Sequence, residues 1–249
     1  MPELEVANVV GMITYQQELD LAALAETFDK RDEITDVTYE PADNHWLQTR
    51  FAPDDTYVAF YRTGRCSIAG CRSTEHFETM VDRVNAVMRE LLDFEYEPAA
   101  EISNIVATSD LGSPIPLELL TLELGMDAVE YEPEQFPALM YRGTDHVILV
   151  FASGKLLCTG LTDLEAVSEA VDDLVERRAG LDGEPCRRAE RPHEFERPAG
   201  LRDVVLRGPF DGTHVRVGGA ESVGDLLLCV SVLPESEHLH LPFGEDRRP

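Results

Sequence analysis

The side chains that could act as nucleophiles or bind a metal are scattered along this chain. The five cysteines include no CxxC pair, which argues against a metal site or a disulfide framework and favours buried thiols in a reducing compartment. His45, His76 and His146 lack the spacing of metal ligands or of a catalytic group, and no GxSxG, Walker or HExxH motif is present. The sequence therefore predicts that the chain is not an enzyme and uses no cofactor, metal or small-molecule substrate.

Acidic residues dominate the charge of the chain. Its 249 residues include 48 acids and 21 bases, and the formal net charge is −27. This charge excludes nucleic-acid binding by an evenly basic surface, because the phosphate backbone would be repelled at low salt. It is typical of proteins dissolved in a very salty cytoplasm, and it is compatible with an acidic interaction surface. No apolar run reaches the roughly 18 residues of a membrane span, and residues 1–10 lack a secretory leader, so we expect a cytoplasmic protein.

An internal repeat organises the sequence. The segment Asn8–Gly11 resembles Asn104–Ala107, and Thr63–Arg65 resembles Ser153–Lys155. A period of roughly 90 residues is too long for a solenoid. The repeat therefore predicts a duplicated half-domain.

Each copy has the pattern of five strands and two helices. Alternating apolar residues and β-branched or aromatic content indicate strands, and helical spacing of apolar residues indicates one short and one long helix. The predicted strands of the first copy are Val6–Ile13, Val37–Glu40, Trp46–Phe51, Tyr57–Arg62 and Cys66–Ala69, and those of the second are Ile102–Thr108, Val129–Glu132, Ala138–Arg142, Val147–Ala152 and Leu156–Thr159. The short helices lie at 19–28 and 117–124, and the long ones begin at Ser73 or Thr74 and at Thr162-Asp163.

These elements predict an α+β fold. Hairpin connections favour an antiparallel sheet, and two halves can join their sheets into one curved surface backed by the two long helices. Such a sheet has one buried and one exposed face, and an exposed apolar face predicts a binding surface. The expected organisation is a first repeat at 1–94, a second at 95–181, a linker at 182–200 and a C-terminal extension at 201–249. The extension has β-like runs at Leu201–Arg207, Thr213–Val217 and Asp225–Leu233. Three short strands are marginal alone, so packing on the saddle, dimerisation and partial disorder all stay open for it.

Segments of the second copy resemble the family of TATA-box-binding proteins. Tyr131–Arg142, Val150–Lys155, Cys158–Gly160 and Ser103–Ala107 match that family in order and spacing, and the resemblance covers about residues 4–181. The acid-rich, lysine-poor composition resembles the version found in salt-loving archaea. The resemblance implies a saddle that binds the minor groove of double-stranded promoter DNA and kinks it with two phenylalanines per half.

Transferred position by position, the resemblance implies a set of DNA contacts. Phe136 and Phe151 match the wedges, and Pro137 stiffens the loop beside Phe136. Asn8 and Asn104 match the amides that bond adenine N3 and thymine O2. The matching groove-floor residues are Val10, Val106, Leu149, Leu157 and Thr159, and the matching phosphate contacts are Arg50, Arg65, Arg142 and Lys155.

The family also binds transcription factor B through the loop between the second and third strands of its second half, here called the second stirrup. Glu132, Glu134 and Gln135 match those contact positions.

The first copy departs from the family pattern in its stirrup. Asn44 stands at the wedge position and His45 at the position of the stiffening proline. The second wedge is Tyr61, whose hydroxyl needs a hydrogen-bond partner. Trp46 is either a displaced wedge or a packed side chain. Ser67 and Ala69 replace floor residues, and Asp43, Asp54 and Asp55 add acids near the expected phosphate path.

Two functions remain open on these residues. One is a general transcription factor-like protein that binds and bends A·T-rich promoter DNA and recruits transcription factor B. The other is a divergent paralogue with weak DNA binding that modulates transcription initiation through protein interactions.

Overall fold

A computed structural model describes residues 3–42, 45–134, 136–179, 204–207 and 214–217. Of the positions singled out above, Asp43, Asn44, Gln135, the linker at 182–200 and the run Asp225–Leu233 lie outside the described residues.

Both halves contain the predicted elements. The first half has strands β1 (Leu4–Thr14), β2 (Ile34–Thr38), β3 (Trp46–Phe51), β4 (Thr56–Tyr61) and β5 (Arg65–Cys71), with helices α1 (Leu21–Phe28) and α2 (Thr74–Leu91). The second half has β6 (Ala99–Asp110), β7 (Val129–Glu130), β8 (Ala138–Arg142), β9 (Val147–Phe151) and β10 (Lys155–Leu161), with α3 (Leu117–Leu124) and α4 (Leu164–Ala179). The predicted fold class is confirmed.

The ten strands form one antiparallel sheet with a symmetric order. From edge to edge the order is β2-β3-β4-β5-β1-β6-β10-β9-β8-β7, so the two opening strands meet in the middle. β1 and β6 are joined by antiparallel pairing that places Val9 opposite Ile105 and Val10 opposite Asn104. This pairing makes one continuous sheet from the two repeats.

Side-chain caps determine where three of the helices begin. Asp20 accepts hydrogen bonds from the N–H groups of Ala22 and Ala23 at the start of α1. Ser73 caps α2 through the N–H of His76, and Asp163 caps α4 through two N–H groups. Such caps satisfy N–H groups that have no partner within the helix.

The helices cover one face of the sheet. Alternate strand residues such as Val9, Ile105 and Leu139 pack with the apolar stripes of the helices in a single core. Gly11 lets Phe77 of α2 approach β1 closely, since a Cβ at Gly11 would overlap the Phe77 ring and lie 2.6 Å from the Glu101 carbonyl oxygen. The intervening residues lie on the opposite side, which we call the helix-free face.

The prediction that the second face of the sheet is exposed is wrong for its floor. Val106, Leu149 and Leu157 are at most 1% accessible, and Val10 is fully buried. Phe136 and Phe151 pack against the second-half cluster and are themselves only partly buried. The two phenylalanines at the margin are therefore more accessible than the floor.

Two short strands belong to the C-terminal extension. β11 (Val204–Arg207) pairs antiparallel with β12 (His214–Val217). They lie within the first two β-like runs of the extension.

Candidate nucleic-acid interface

An apolar cluster occupies the helix-free face of the second half. It is lined by Val106, Ala138, Met140, Val147, Leu149 and Leu157, with Phe136 and Phe151 packed against it. The strand period places these residues together, because every second residue of β8, β9 and β10 points away from the helices. Phe136, Val106, Leu149, Phe151 and Leu157, all matched to the family site, are therefore brought together.

The two phenylalanines are held by turns at the ends of strands. The Phe136 N–H donates to the Glu132 carbonyl oxygen at 2.9 Å, which closes the second stirrup just before the exposed Pro137. Phe151 ends β9, lies opposite Ala138 and accepts the Gly154 N–H at 2.9 Å. Gly154 has a φ of +94° and a Cβ there would overlap the Ser113 carbonyl, so a larger residue would disturb this turn.

Two asparagines occupy matching positions near the centre of the sheet. The Asn8 Oδ1 accepts the Gly70 N–H at 2.8 Å, and the Asn104 Oδ1 accepts the Gly160 N–H at 2.8 Å. These bonds identify the oxygen end of each amide and turn the NH2 group away from the glycine. In the second half, Asn104 Nδ2 also lies 3.1 Å from the Thr159 hydroxyl. Both residues are buried, so the amide orientation is set by the fold.

Four cations lie at strand ends near the margins of the helix-free face. Arg142 forms an ion pair of 3.0 Å with Glu130, and both side chains are largely exposed. Arg50 stacks 5.3 Å from the centre of the Tyr57 ring and donates to the Asp55 carbonyl at 3.1 Å. Arg65 and Lys155 are exposed at the first positions of β5 and β10. An exposed pair such as Arg142–Glu130 contributes little stability, so a phosphate can compete for the arginine.

The first half carries a row of three aromatic side chains, Trp46, Tyr57 and Tyr61, whereas the matching positions of the second half hold one aromatic residue, Phe151. Trp46 lies opposite Tyr61, with ring centroids 6.3 Å apart. Tyr57 lies on the same face, and burial raises the pKa of its phenol. Burial likewise raises the pKa of Tyr61, so both phenols stay protonated at neutral pH. Sequence reasoning missed Tyr57, although its alternation with Ala59 and Tyr61 places it on the same face.

The titratable groups of the core are not arranged for catalysis. Burial raises the pKa of the Cys71 and Cys158 thiols to about 12, and also raises that of Cys66, so all three stay protonated. Within the described ranges, no cluster of three or more metal-ligating side chains occurs. None of the helices in the described part of the chain has the length and apolarity needed to cross a bilayer.

The second stirrup presents acidic side chains. Glu132 and Glu134 are both exposed, on either side of the exposed Pro133. Gln135, the third residue matched to a protein contact, lies outside the described residues.

Comparison with known proteins gives concordant results. A family model described as Transcription factor TFIID (or TATA-binding protein, TBP) matches residues 3–91 and 99–177. The chain is 35% identical over 181 residues to the TATA-box-binding protein of Haloarcula marismortui. The matched region covers 72% of this chain and 94% of that relative. The chain is 34% identical over 177 residues to TATA-box-binding protein 2 of Haloferax volcanii, covering 70% and 92% of the two chains.

A solved structure shows the same architecture. The structure of Methanococcus jannaschii TBP matches with a TM-score of 0.61 and 30% sequence identity, over 72% of this chain and 99% of that one. The likeness confirms the duplicated saddle, with its curved antiparallel sheet, that the sequence predicts. From the two matched segments, the relatives and the shared fold, we conclude that the chain belongs to the TATA-box-binding protein family, a family of promoter-binding transcription factors and not of enzymes.

Proposed function

We propose that this protein binds the minor groove of A·T-rich promoter DNA with its helix-free face, bends the duplex and recruits transcription factor B at the nucleoid. The observation that carries the proposal comes from the second half. There, two partly exposed phenylalanines border an apolar cluster, and a hydrogen-bonded asparagine lies beside it. Rings that enter base steps and amides that donate to groove acceptors are the contacts a minor-groove bender needs.

The asparagines supply the polar contacts at the centre of the proposed site. Each Oδ1 is already bonded to a glycine N–H, so an NH2 hydrogen remains to donate. Adenine N3 and thymine O2 are acceptors on the minor-groove floor, and they look alike in A·T and T·A pairs. Asn8 and Asn104 therefore favour A·T-rich sequence without reading base-pair direction.

Phe136 and Phe151 supply the wedge of the second half. Their rings are the partly exposed members of an otherwise buried cluster, so they meet the duplex first. Val106, Leu149, Leu157 and Thr159 form the nearly buried floor of the same face, which supports the rings. The free-energy cost of unstacking a base step is compensated by the larger contact that a bent duplex makes with the sheet.

The four marginal cations provide the phosphate contacts of this proposal. They are few, and the chain as a whole has a net charge of −27. Counterion release therefore contributes little, and apolar groove contacts provide most of the affinity.

The acidic stirrup is the proposed contact for transcription factor B. Glu132 and Glu134 are exposed at the end of the second half, and Gln135 follows them in sequence. Carboxylates in this position suit a partner that presents arginine or lysine side chains.

An energy-transfer assay tests the bending. The full chain is added to an A·T-rich promoter duplex labelled at both ends, in molar KCl, with and without transcription factor B. Wild type is expected to raise energy transfer, and the double variant Phe136→Ala, Phe151→Ala is expected to lose the second-half kink. Leu122→Ala is the matched control, because this apolar residue of α3 is 70% exposed and lies on the helix side. Equal bending by wild type and the double variant would contradict the proposed wedge.

A second candidate function is a protein-interaction modulator with weak DNA binding. It is favoured by the first half, which has Asn44 at the wedge position and Ser67 and Ala69 in the floor. The same assay separates the two functions. Binding of transcription factor B without DNA binding at any salt concentration would support the modulator and exclude the bender.

A further inference from the structure

The strand register allows the two halves to be compared position by position. Across β3 and β4 it places Trp46 opposite Tyr61, and across β8 and β9 it places Ala138 opposite Phe151. Tyr61 therefore stands where the second half has Phe151, and Trp46 stands where it has Ala138. An indole ring occupies a position that holds a single methyl group in the second half.

The indole is held in place by its neighbours. The Trp46 and Tyr61 rings are 6.3 Å apart at an interplanar angle of 42°. On the neighbouring strand, the Tyr57 ring is covered by the Arg50 guanidinium at 5.3 Å. A side chain that packs on a neighbouring ring loses less rotamer freedom when it meets a ligand. The contact with Tyr61 thus preorganises the indole.

The aromatic rings stand above a buried floor. Ala59, between Tyr57 and Tyr61 on β4, is fully buried, and Ser67 opposite it is 4% accessible. Trp46, Tyr57 and Tyr61 are only partly buried, as Phe136 and Phe151 are in the second half. In both halves the rings are therefore the part of the helix-free face that a duplex can reach first.

We infer that Trp46, backed by Tyr61, is the DNA wedge of the first half. The inference rests on the proposed function, because it assigns a further residue to the same DNA-binding surface. The indole packs against the Tyr61 ring and is only partly buried, so part of its surface is accessible to a duplex. A broad aromatic face can stack on the plane of an exposed base whatever the base, and this is the property that a wedge requires. The missing ring at Asn44 is thereby replaced from β3.

The chain provides its own probe for this inference, because Trp46 is the one tryptophan among its 249 residues. Its emission is measured as an A·T-rich duplex is added to the full chain in molar KCl, and bending is followed by energy transfer on the same duplex. The variants are Trp46→Ala, Trp46→Phe, the double variant Phe136→Ala, Phe151→Ala, and the triple variant that combines the double variant with Trp46→Ala. Circular dichroism and thermal unfolding establish that each variant is folded.

Wild-type emission is expected to be quenched by DNA. Trp46→Ala is expected to reduce energy transfer to an intermediate value and to lower affinity about 10- to 100-fold, the loss expected for one base–aromatic stack. Trp46→Phe retains a ring and is expected to keep most of the bend. Removing Trp46 together with Phe136 and Phe151 is expected to abolish bending.

Two results would overturn the inference while leaving the proposed function intact. One is unchanged bending by Trp46→Ala, and the other is Trp46 emission that does not respond to a duplex that wild type bends. Absence of DNA binding by wild type would overturn both the inference and the proposed function. If Trp46→Ala does not fold, the response of wild-type Trp46 emission to the bent duplex still decides the question.

Discussion

Substitutions at Asn104 separate the structural role of its amide from its proposed role in DNA binding. The oxygen end serves the fold, since Oδ1 accepts the Gly160 N–H at 2.8 Å. The nitrogen end lies 3.1 Å from the Thr159 hydroxyl and has a second hydrogen for the groove. Aspartate keeps the oxygen acceptor and removes the nitrogen donor, whereas alanine removes both.

The two variants are expected to rank in opposite orders for stability and for DNA binding. Asn104→Ala leaves the part-buried Gly160 N–H without an acceptor, which costs about 1–3 kcal/mol of stability. Asn104→Asp keeps that bond and lets Thr159 donate to the second oxygen, so we expect it to be the more stable of the two variants.

In the DNA complex the order reverses. Asn104→Ala loses one hydrogen bond of about 1–1.5 kcal/mol, roughly tenfold in affinity. Asn104→Asp loses the same bond and also buries a carboxylate against groove acceptors. Since an uncompensated buried charge costs about 3 kcal/mol or more, the loss is about 100-fold or greater.

Thermal unfolding and a fluorescence-anisotropy titration on an A·T-rich duplex, both in molar KCl, measure the two quantities. Asn8→Asp and Asn8→Ala form a matched pair in the first half, where Oδ1 accepts the Gly70 N–H at 2.8 Å. If Asn104→Asp binds DNA as tightly as Asn104→Ala, the amide does not donate into the groove and the reasoning is refuted.

Three further predictions concern packing, protonation and salt. The Cβ of Gly11→Ala would overlap the Phe77 ring and lie 2.6 Å from the Glu101 carbonyl oxygen, so we expect calorimetry to show a loss of about 1–3 kcal/mol in the free energy of unfolding. Ala107→Gly, at the matching position of the second half, should cost about 0.5–1 kcal/mol. Equal losses in the two variants would contradict the packing argument. Burial lowers the pKa of His146 below its ordinary 6.5. The stability that His146 contributes is therefore present above about pH 6.5 and is lost as the pH falls and the unfolded state takes up a proton. The free energy of unfolding in urea should drop less from pH 7 to pH 5 in His146→Asn than in wild type, and an identical drop would refute this. DNA affinity should be flat or rising with KCl, and a titration that shows a steep fall would contradict apolar groove binding.

The positions of the strands followed from local patterns, and their ends did not. Alternation predicted a strand at Val129–Glu132, but β7 spans Val129–Glu130 and pairs with Tyr141 and Met140 on β8. The chain then turns at Pro133 into the second stirrup. Pairing with a distant strand decides how far a ladder continues, and that pairing is not visible in a local pattern.

Accessibility of the helix-free face was also decided by tertiary packing. The sequence pattern correctly placed Leu149 and Leu157 on one face, because side chains alternate along a strand. In the folded chain they are almost completely buried, in a cluster drawn from several strands with Phe136 and Phe151 packed against it. The pattern therefore identifies a face, and the register decides which of its residues a ligand can reach.

By itself, the sequence determined the duplication, the order of elements, the α+β class and the family, because the repeat and the matched segments are properties of residue order. Only the tertiary structure decided that the Asn8 and Asn104 oxygens are bonded to glycine N–H groups and that the Trp46 ring packs against Tyr61. These contacts join residues on different strands. They exist only when the strand register is formed, so residue types and spacing alone do not specify them.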